Sequence, residues 1–163
     1  MLSEFQQKQL WEEWLGAETR ANYCADLCTH FRRLDDGANW AVLLLSSGAA
    51  VSFVTKLPDV GKAIIVAIVA GTSLYSILQK NLSKISECSD LSFRWNSHAL
   101  DCQELWNDIY VEDGQQRLRA LLRKGAEISK SAHVLPNDQK RMLKWEEHVL
   151  RHRVPNYMSP ATA

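Results

Sequence analysis

The sequence predicts an all-α protein in which a two-helix transmembrane hairpin joins amphipathic cytoplasmic helices that pack as a small bundle. Two stretches without any acidic or basic residue, 38–55 and 63–79, predict the hairpin. In the charged sequence on either side, apolar residues recur at alternating steps of three and four, which predicts helices with one apolar face. The predicted domains are an N-terminal cytoplasmic helix (1–37), the hairpin (38–79), a cytoplasmic helical domain (80–153) and a flexible tail (154–163).

The first element is a long amphipathic helix over the N-terminal residues. Its apolar stripe consists of Trp14, Ala17, Ala21, Cys24, Cys28 and Phe31. The charge spread through this segment leaves no apolar core of the kind that a secretory signal carries, so we expect no export.

The two uncharged stretches have 18 and 17 residues. At about 1.5 Å per residue each covers roughly 26 Å, close to the hydrocarbon core of a bilayer. Between them lies KLPDVGK, where Pro58 and Gly61 are expected to break the helix. Trp40 and Tyr75 suit an interfacial aromatic belt. A buried hairpin in a soluble helical protein is the alternative, since core helices are also apolar on every face.

Lysine and arginine residues are more numerous on the side of the two stretches that leads to the chain termini than in the short loop between the stretches. Lys56 and Lys62 are the two in the loop, and the other side carries Arg20, Arg32, Arg33, Lys80, Lys84 and Arg94. The positive-inside rule therefore places both termini in the cytoplasm.

Small residues recur every four positions within the two stretches. These positions are Gly48, Ser52, Ala63, Ala67 and Gly71. Because small residues let helices approach closely in lipid, we predict that they form an interface between copies of the chain. Ordinary tolerance of small residues explains the same pattern.

Three further helices are predicted after the hairpin. The first runs from about Lys80 to Val111, returns antiparallel to the N-terminal helix and buries Leu91, Trp95, His98, Cys102, Leu105 and Ile109. A second helix spans 115–134 and ends before Pro136. The third is capped by Asn137 or Asp138 and presents an apolar face with Met142, Trp145 and Val149, and the tail from Val154 should be loose.

Charge is divided unevenly between these helices. Residues 86–114 carry seven acids and one base, whereas residues 115–163 carry ten bases and four acids. The two fields can pack against each other, the basic one can bind anionic lipid, or it can bind a phosphate-rich ligand. For the ligand we predict a site formed by Arg117, Arg119, Arg123, Lys124, Lys140, Arg141 and Lys144.

No sequence motif indicates catalysis or a cofactor. Phosphate-loop, nucleophile-elbow and zinc-protease patterns are missing from the sequence, and no histidine lies at motif spacing from a nucleophile or carboxylate. The four cysteines fit the helical stripes better than a metal site, and we expect them to be free thiols. The chain is therefore predicted to be a non-enzymatic protein with no metal and no cofactor.

The segment YCADLCTHFRRLDDGANWAVLLLSS, followed by two spans, a very short loop and a returning helix, resembles the SLATT family of bacterial two-span proteins. The resemblance covers roughly residues 11 to 110. It implies a membrane-permeabilising effector in a nucleotide-second-messenger system of antiphage defence. The basic C-terminal region also resembles that of small CRISPR-associated membrane receptors for cyclic oligoadenylate.

With this resemblance, which implies a bacterial inner-membrane protein, the hairpin and the basic region are expected to belong to an effector that oligomerises in the bilayer and depolarises it in response to a nucleotide signal. A cyclic oligonucleotide bound by the chain itself, or a separate sensor protein, can deliver that signal. The alternative is a membrane anchor or adaptor that holds a partner protein. The sequence does not choose between the two functions.

Overall fold

The computed structural model of the chain describes residues 1–46, 58–79, 81–132 and 135–158, and all regular secondary structure in these ranges is helical. The predicted all-α fold class is thereby confirmed. The long helices are α1 (Glu4–Ser46), α2 (Asp59–Gln79), α3 (Asn81–Asn107), α4 (Gly114–Ser131) and α5 (Gln139–Met158).

The chain divides into two compact units, whose boundaries fall inside helices. Unit 1 comprises Met1–Leu27 and Glu87–Ala163, and unit 2 comprises Cys28–Ser86. The predicted domain boundaries at 37 and 80 therefore lie within unit 2.

In unit 1, α3 runs antiparallel to α1. The rings of Trp11 and Trp106 lie 5.3 Å apart near one end of this pair, and Ser92 Oγ donates to the carbonyl of Ala21 at 3.0 Å further along. Early residues of α1 therefore lie beside late residues of α3, which is the antiparallel arrangement that the sequence predicted. The facing stripes of both helices are buried except at Cys28 and Ile109, which are half-buried, and Trp95 is only 1% exposed.

Helix α4 packs antiparallel to α3 on another side. Lys124 Nζ lies 2.5 Å from Asp101 Oδ2, and Arg94 Nη1 donates to Ser131 Oγ at 3.2 Å. Leu118, Leu121 and Ile128 supply the buried face of α4, which is the apolar face expected from the spacing of these residues.

Helix α5 completes an antiparallel four-helix bundle by packing on α1. Trp145 Nε1 donates to Asp26 Oδ2 at 3.3 Å, and Arg153 forms a two-pronged pair with the carboxylate of Glu18 at the other end. Such a bidentate pair fixes orientation as well as distance.

The segment before α5 is held by one side chain of α1. The hydroxyl of Tyr23 donates to the carbonyl of Pro136 and accepts from the amide of Asp138 at 3.0 Å. Asp138 Oδ1 in turn accepts from the amide of Arg141 at 3.0 Å, so the predicted cap by Asp138 is confirmed.

Several predicted helix ends are wrong. Helix α3 stops at Asn107, four residues before Val111, and acidic residues such as Asp108 and Glu112 follow that end. Negative charge at a helix C-terminus opposes the helix dipole and favours this earlier stop. Helix α5 continues to Met158 and so includes residues 154–158, the first part of the tail that was predicted to be loose.

In unit 2, helix α2 begins at Asp59 and contains Gly61 in its first turn. The prediction that Gly61 breaks the helix is therefore wrong, whereas Pro58 does precede it. The amide of Lys62 donates to the carbonyl of Pro58 at 3.2 Å, and Lys62 Nζ pairs with Asp59 Oδ1 at 3.0 Å. This ion pair closes the first turn around the glycine.

Candidate functional site

Unit 2 presents an exposed apolar surface on both of its long helical parts. Its large side chains are between 56% and 73% exposed: Trp40, Leu43, Leu44, Val60, Ile64, Val66 and Ile68. So many exposed large apolar side chains in one unit are unusual on a soluble monomer and favour an interaction with lipid or protein. Within the described ranges, which omit residues 47–57 and 80, no helix is long and apolar enough to cross a membrane.

Two of the five small residues predicted to form an interface are exposed on α2. These are Ala67 and Gly71, and a Cβ added at Gly71 would have no neighbour within 4 Å. The side chain of Ala63 lies outside the described part of the structure, as do Gly48, Ser52 and the side chain of Tyr75. The described portion of the stripe is therefore accessible to a second chain.

Three of the seven predicted ligand-binding cations already pair with acids of unit 1. Arg117 lies 3.2 Å from Glu104 and 3.7 Å from Asp108. Lys124 pairs with Asp101, as described above. These contacts join α4 to α3 and to Asp108 just after it, so the basic segment 115–163 packs in part against the acidic segment 86–114. Arg141 is likewise paired, with Asp26 at 3.6 Å and Asp138 at 3.3 Å.

The other four predicted cations are exposed. Arg119 and Arg123, one turn apart on α4, have no acidic partner within the part of the chain that the structure describes. Lys140 and Lys144 are exposed on α5, and Lys144 Nζ lies 5.1 Å from the centroid of the Trp145 ring. The structure thus leaves Arg119 and Arg123 as the strongest pair for an anionic ligand.

A buried polar cluster lies between α1 and α3. His98 is fully buried, and its Nε2 lies 2.9 Å from Glu13 Oε1 and 3.9 Å from Cys102 Sγ. Its other ring nitrogen, Nδ1, has no hydrogen-bond partner among the described residues. The carboxylate holds the orientation of the imidazole in an otherwise apolar layer.

Gly125 of α4 makes room for this cluster. A Cβ at this position would overlap Glu13 Oε1 and lie 2.9 Å from His98 Nε2. Any larger residue would displace the carboxylate from the ring. The glycine is therefore required by the close approach of α4 to the Glu13–His98 pair.

Thiol, imidazole and carboxylate are also the groups of a cysteine nucleophile site, but this cluster lacks the necessary ionisation. Burial, with the nearby carboxylate of Glu13, raises the pKa of Cys102 to about 12. The thiol is therefore protonated at neutral pH, whereas the thiolate is the nucleophile. Because Cys102 and His98 are both 0% exposed, a substrate could not reach them in this conformation.

The His98–Glu13 pair was missed by the sequence reasoning, which found no histidine at motif spacing from a carboxylate. The two residues lie 85 positions apart, so no short motif contains both. A usable signal was the place of His98 in the apolar stripe of α3, because a buried histidine needs a polar partner. Among the described residues, no group of three or more histidine, cysteine and acidic side chains is placed to hold a metal ion.

Comparison of the chain with known protein families, curated protein sequences and solved structures finds no match.

Proposed function

We propose that the chain is a non-enzymatic effector of antiphage defence in the bacterial inner membrane. Residues 38–79 form a bilayer hairpin whose copies assemble and depolarise the membrane in response to a nucleotide second messenger. Both termini lie in the cytoplasm. The observation that carries this proposal is the exposed apolar surface of unit 2.

That surface is not confined to one face of α2. Val66, Ala67 and Ile68 are consecutive and all exposed, and successive residues are turned by about 100° around a helix. A soluble helix would have one covered and one polar face. An apolar surface on several sides favours a lipid environment, where each exposed methylene that leaves water contributes roughly 0.8 kcal/mol.

Contacts at the base of unit 2 support a hairpin. Cys28 Sγ donates to the carbonyl of Ile85 at 3.7 Å, and Lys84 Nζ lies 5.5 Å from the centroid of the Phe31 ring. The chain therefore leaves and re-enters this region at neighbouring points, as two antiparallel spans joined by a short loop require.

The proposed topology predicts that a cysteine at Val60 reacts with a membrane-impermeant maleimide added to intact cells. A cysteine at Gln116 should react only after the cells are opened. Both positions are exposed, so access to the reagent is set by the membrane side. Native Cys24 is a poor cytoplasmic reporter, because it is buried and burial raises the pKa of its thiol to about 12. Labelling of Gln116→Cys in intact cells would contradict the proposed topology and indicate the opposite one.

The proposed function predicts that Gly71→Leu reduces both assembly and depolarisation severalfold at equal expression. A Cβ at this position has no neighbour within 4 Å in the described part of the chain, so we attribute a loss to the separation of helices of different copies. Crosslinking in membranes measures assembly, and a potential-sensitive dye measures depolarisation after induction.

Two substitutions serve as controls for this experiment. Gly37→Leu makes the same change at another helical glycine with open space around it, and Ile65→Leu is an isomeric change on α2 that costs little. Both should retain activity. Equal assembly and equal depolarisation in all variants would exclude the small-residue stripe as the interface.

The signal is proposed to bind at Arg119 and Arg123. We expect Arg119→Ala with Arg123→Ala to weaken binding of a cyclic oligoadenylate by about tenfold or more, since two charge-assisted contacts are lost. Calorimetry at two salt concentrations measures this binding. The full chain is needed, because unit 1 includes residues 1–27 as well as the C-terminal helices.

A matched control removes two other exposed cations. Lys8→Ala with Arg151→Ala changes the net charge equally, and each of these residues pairs within its own helix, with Glu12 and Glu147 respectively. Binding that survives the Arg119 and Arg123 substitutions would exclude this site. Lack of binding by the wild type to cyclic oligoadenylates and cyclic dinucleotides would favour a separate sensor protein.

A membrane adaptor is the second candidate function. It is favoured by the ion pairs of Arg117, Lys124 and Arg141, which reduce the charge available to a polyanion. In this case the chain would hold a partner protein without permeabilising the bilayer. If the membrane potential does not change when the system is triggered and the cells are still protected from phage, the adaptor function is favoured over the effector function.

A further inference from the structure

Unit 1 contains a cleft that the charge pattern did not indicate. It has a volume of about 250 Å³, and its lining includes Arg20, Trp95, Ser129, Asn137 and Met142. A second cleft of about 500 Å³ adjoins it and shares Arg20 and Met142. Together they reach the size range of small-molecule sites, which are mainly apolar with a few placed polar groups.

Arg20 is the cation of this cleft, and its side chain is held in place on two sides. Its guanidinium carbon lies 4.8 Å from the centroid of the buried Trp95 ring. One turn earlier, Gly16 leaves space beside it, since a Cβ there would lie 3.1 Å from Arg20 Nη1. Stacking on the indole fixes the plane of the guanidinium and leaves its N–H edge able to donate.

Among the described residues, Arg20 has no acidic partner. This distinguishes it from Arg153, which is paired with Glu18, and from Arg141, which is paired with Asp26. A half-buried guanidinium on an apolar wall gains from an anion that accepts two parallel hydrogen bonds. Carboxylate and phosphate oxygens have the matching geometry.

The other residues that line the two clefts limit the chemical class of the ligand further. Trp95, Leu135 and Met142 offer an apolar wall, and Ser129 and Asn137 offer single polar groups. Glu12 and Glu146 line the adjoining cleft and would repel a polyphosphate. We propose that this cleft binds a small molecule with one carboxylate or phosphate group on an aromatic or apolar body, with Arg20 as its anion-recognising residue. This proposal does not depend on the membrane role or on Arg119 and Arg123.

The test uses three probes with the same ring: benzoate, phenyl phosphate and neutral benzamide. Each is titrated against the full chain in nanodiscs of uncharged lipid, and binding is followed by saturation-transfer NMR. We expect at least one anion to bind saturably with a dissociation constant of about 1 mM, a usual value for so small a probe, and benzamide to bind about tenfold more weakly. The anion that binds more tightly indicates whether the preferred ligand carries a carboxylate or a phosphate group.

Variants of Arg20 assign the binding to the cleft. Arg20→Gln should weaken anion binding about tenfold, and Arg20→Lys, which keeps the charge and loses the planar fork, about threefold to fivefold. Lys8→Ala with Arg151→Ala, which removes two cations outside both proposed sites, should bind as the wild type does. Equal binding of the anions and benzamide, unchanged binding by both Arg20 variants, or no saturable binding of either anion would overturn the proposal.

Discussion

Replacing Trp95 with alanine should lower the free energy of unfolding of unit 1 by about 3 to 5 kcal/mol. Trp95 is 1% exposed and is the largest fully buried side chain of the bundle. Its loss removes the contact with the His98 ring, 5.9 Å away between centroids, and the surface on which Arg20 stacks. Urea unfolding of the full chain in mild detergent, followed by far-ultraviolet circular dichroism, measures the change.

A control for this prediction lies two residues away on the same helix. Phe93 is 73% exposed, so Phe93→Ala should change the free energy of unfolding by no more than about 0.5 kcal/mol. The pair compares two aromatic residues of α3 that differ mainly in burial. Similar losses for both variants would contradict the packing of α3 described here.

The helices and their buried faces follow from local pattern, which is why they could be predicted from the sequence. Trp14, Ala17 and Ala21 on α1 repeat at helical spacing and are buried. Trp95 and Cys102 on α3 follow the same rule and are buried as well. Because burial on a helix depends on a period of 3.6 residues, a single sequence carries this information.

Contacts between residues that are far apart in the sequence could not be predicted from the same local pattern. Tyr23 holds the segment at Pro136, 113 positions away, and Glu13 meets His98 across 85 positions. Both pairs depend on which helices become neighbours and on how they are rotated. The excess of opposite charge on two segments was visible, but the choice of Asp101 as partner for Lys124 depends on the offset between α3 and α4.

Among the candidate ligand-binding residues, too, some follow from local pattern and others depend on which helices become neighbours. Arg119 and Arg123 were predicted to share a helix face from their spacing, and both are exposed on α4. Arg20 was counted only for topology, because nothing near it in sequence indicates a cleft. Its place over Trp95 arises from the pairing of α1 with α3.

Alkaline pH should destabilise unit 1 through two buried thiols. Burial is the main cause that raises the pKa of Cys24 and of Cys102 from 9.0 to about 12. The unfolded thiols then lose their protons near pH 9.0 while the folded ones keep theirs up to about 12. Stability is therefore fully present below about pH 9 and is lost as the pH rises toward 12, because the unfolded state binds fewer protons.

Each thiol should contribute a slope of up to about 1.4 kcal/mol per pH unit in this window. Measuring the free energy of unfolding of the full chain between about pH 8 and pH 11 gives the total slope, to which any other titrating group adds its own part. The variant Cys24→Ala with Cys102→Ala keeps those other groups, so the difference between its slope and that of the wild type isolates the two thiols. The cavities left by the substitutions lower stability equally at every pH and do not alter the slope. Parallel curves for variant and wild type would show that these thiols lie in a more polar environment than the packing of α1 against α3 indicates.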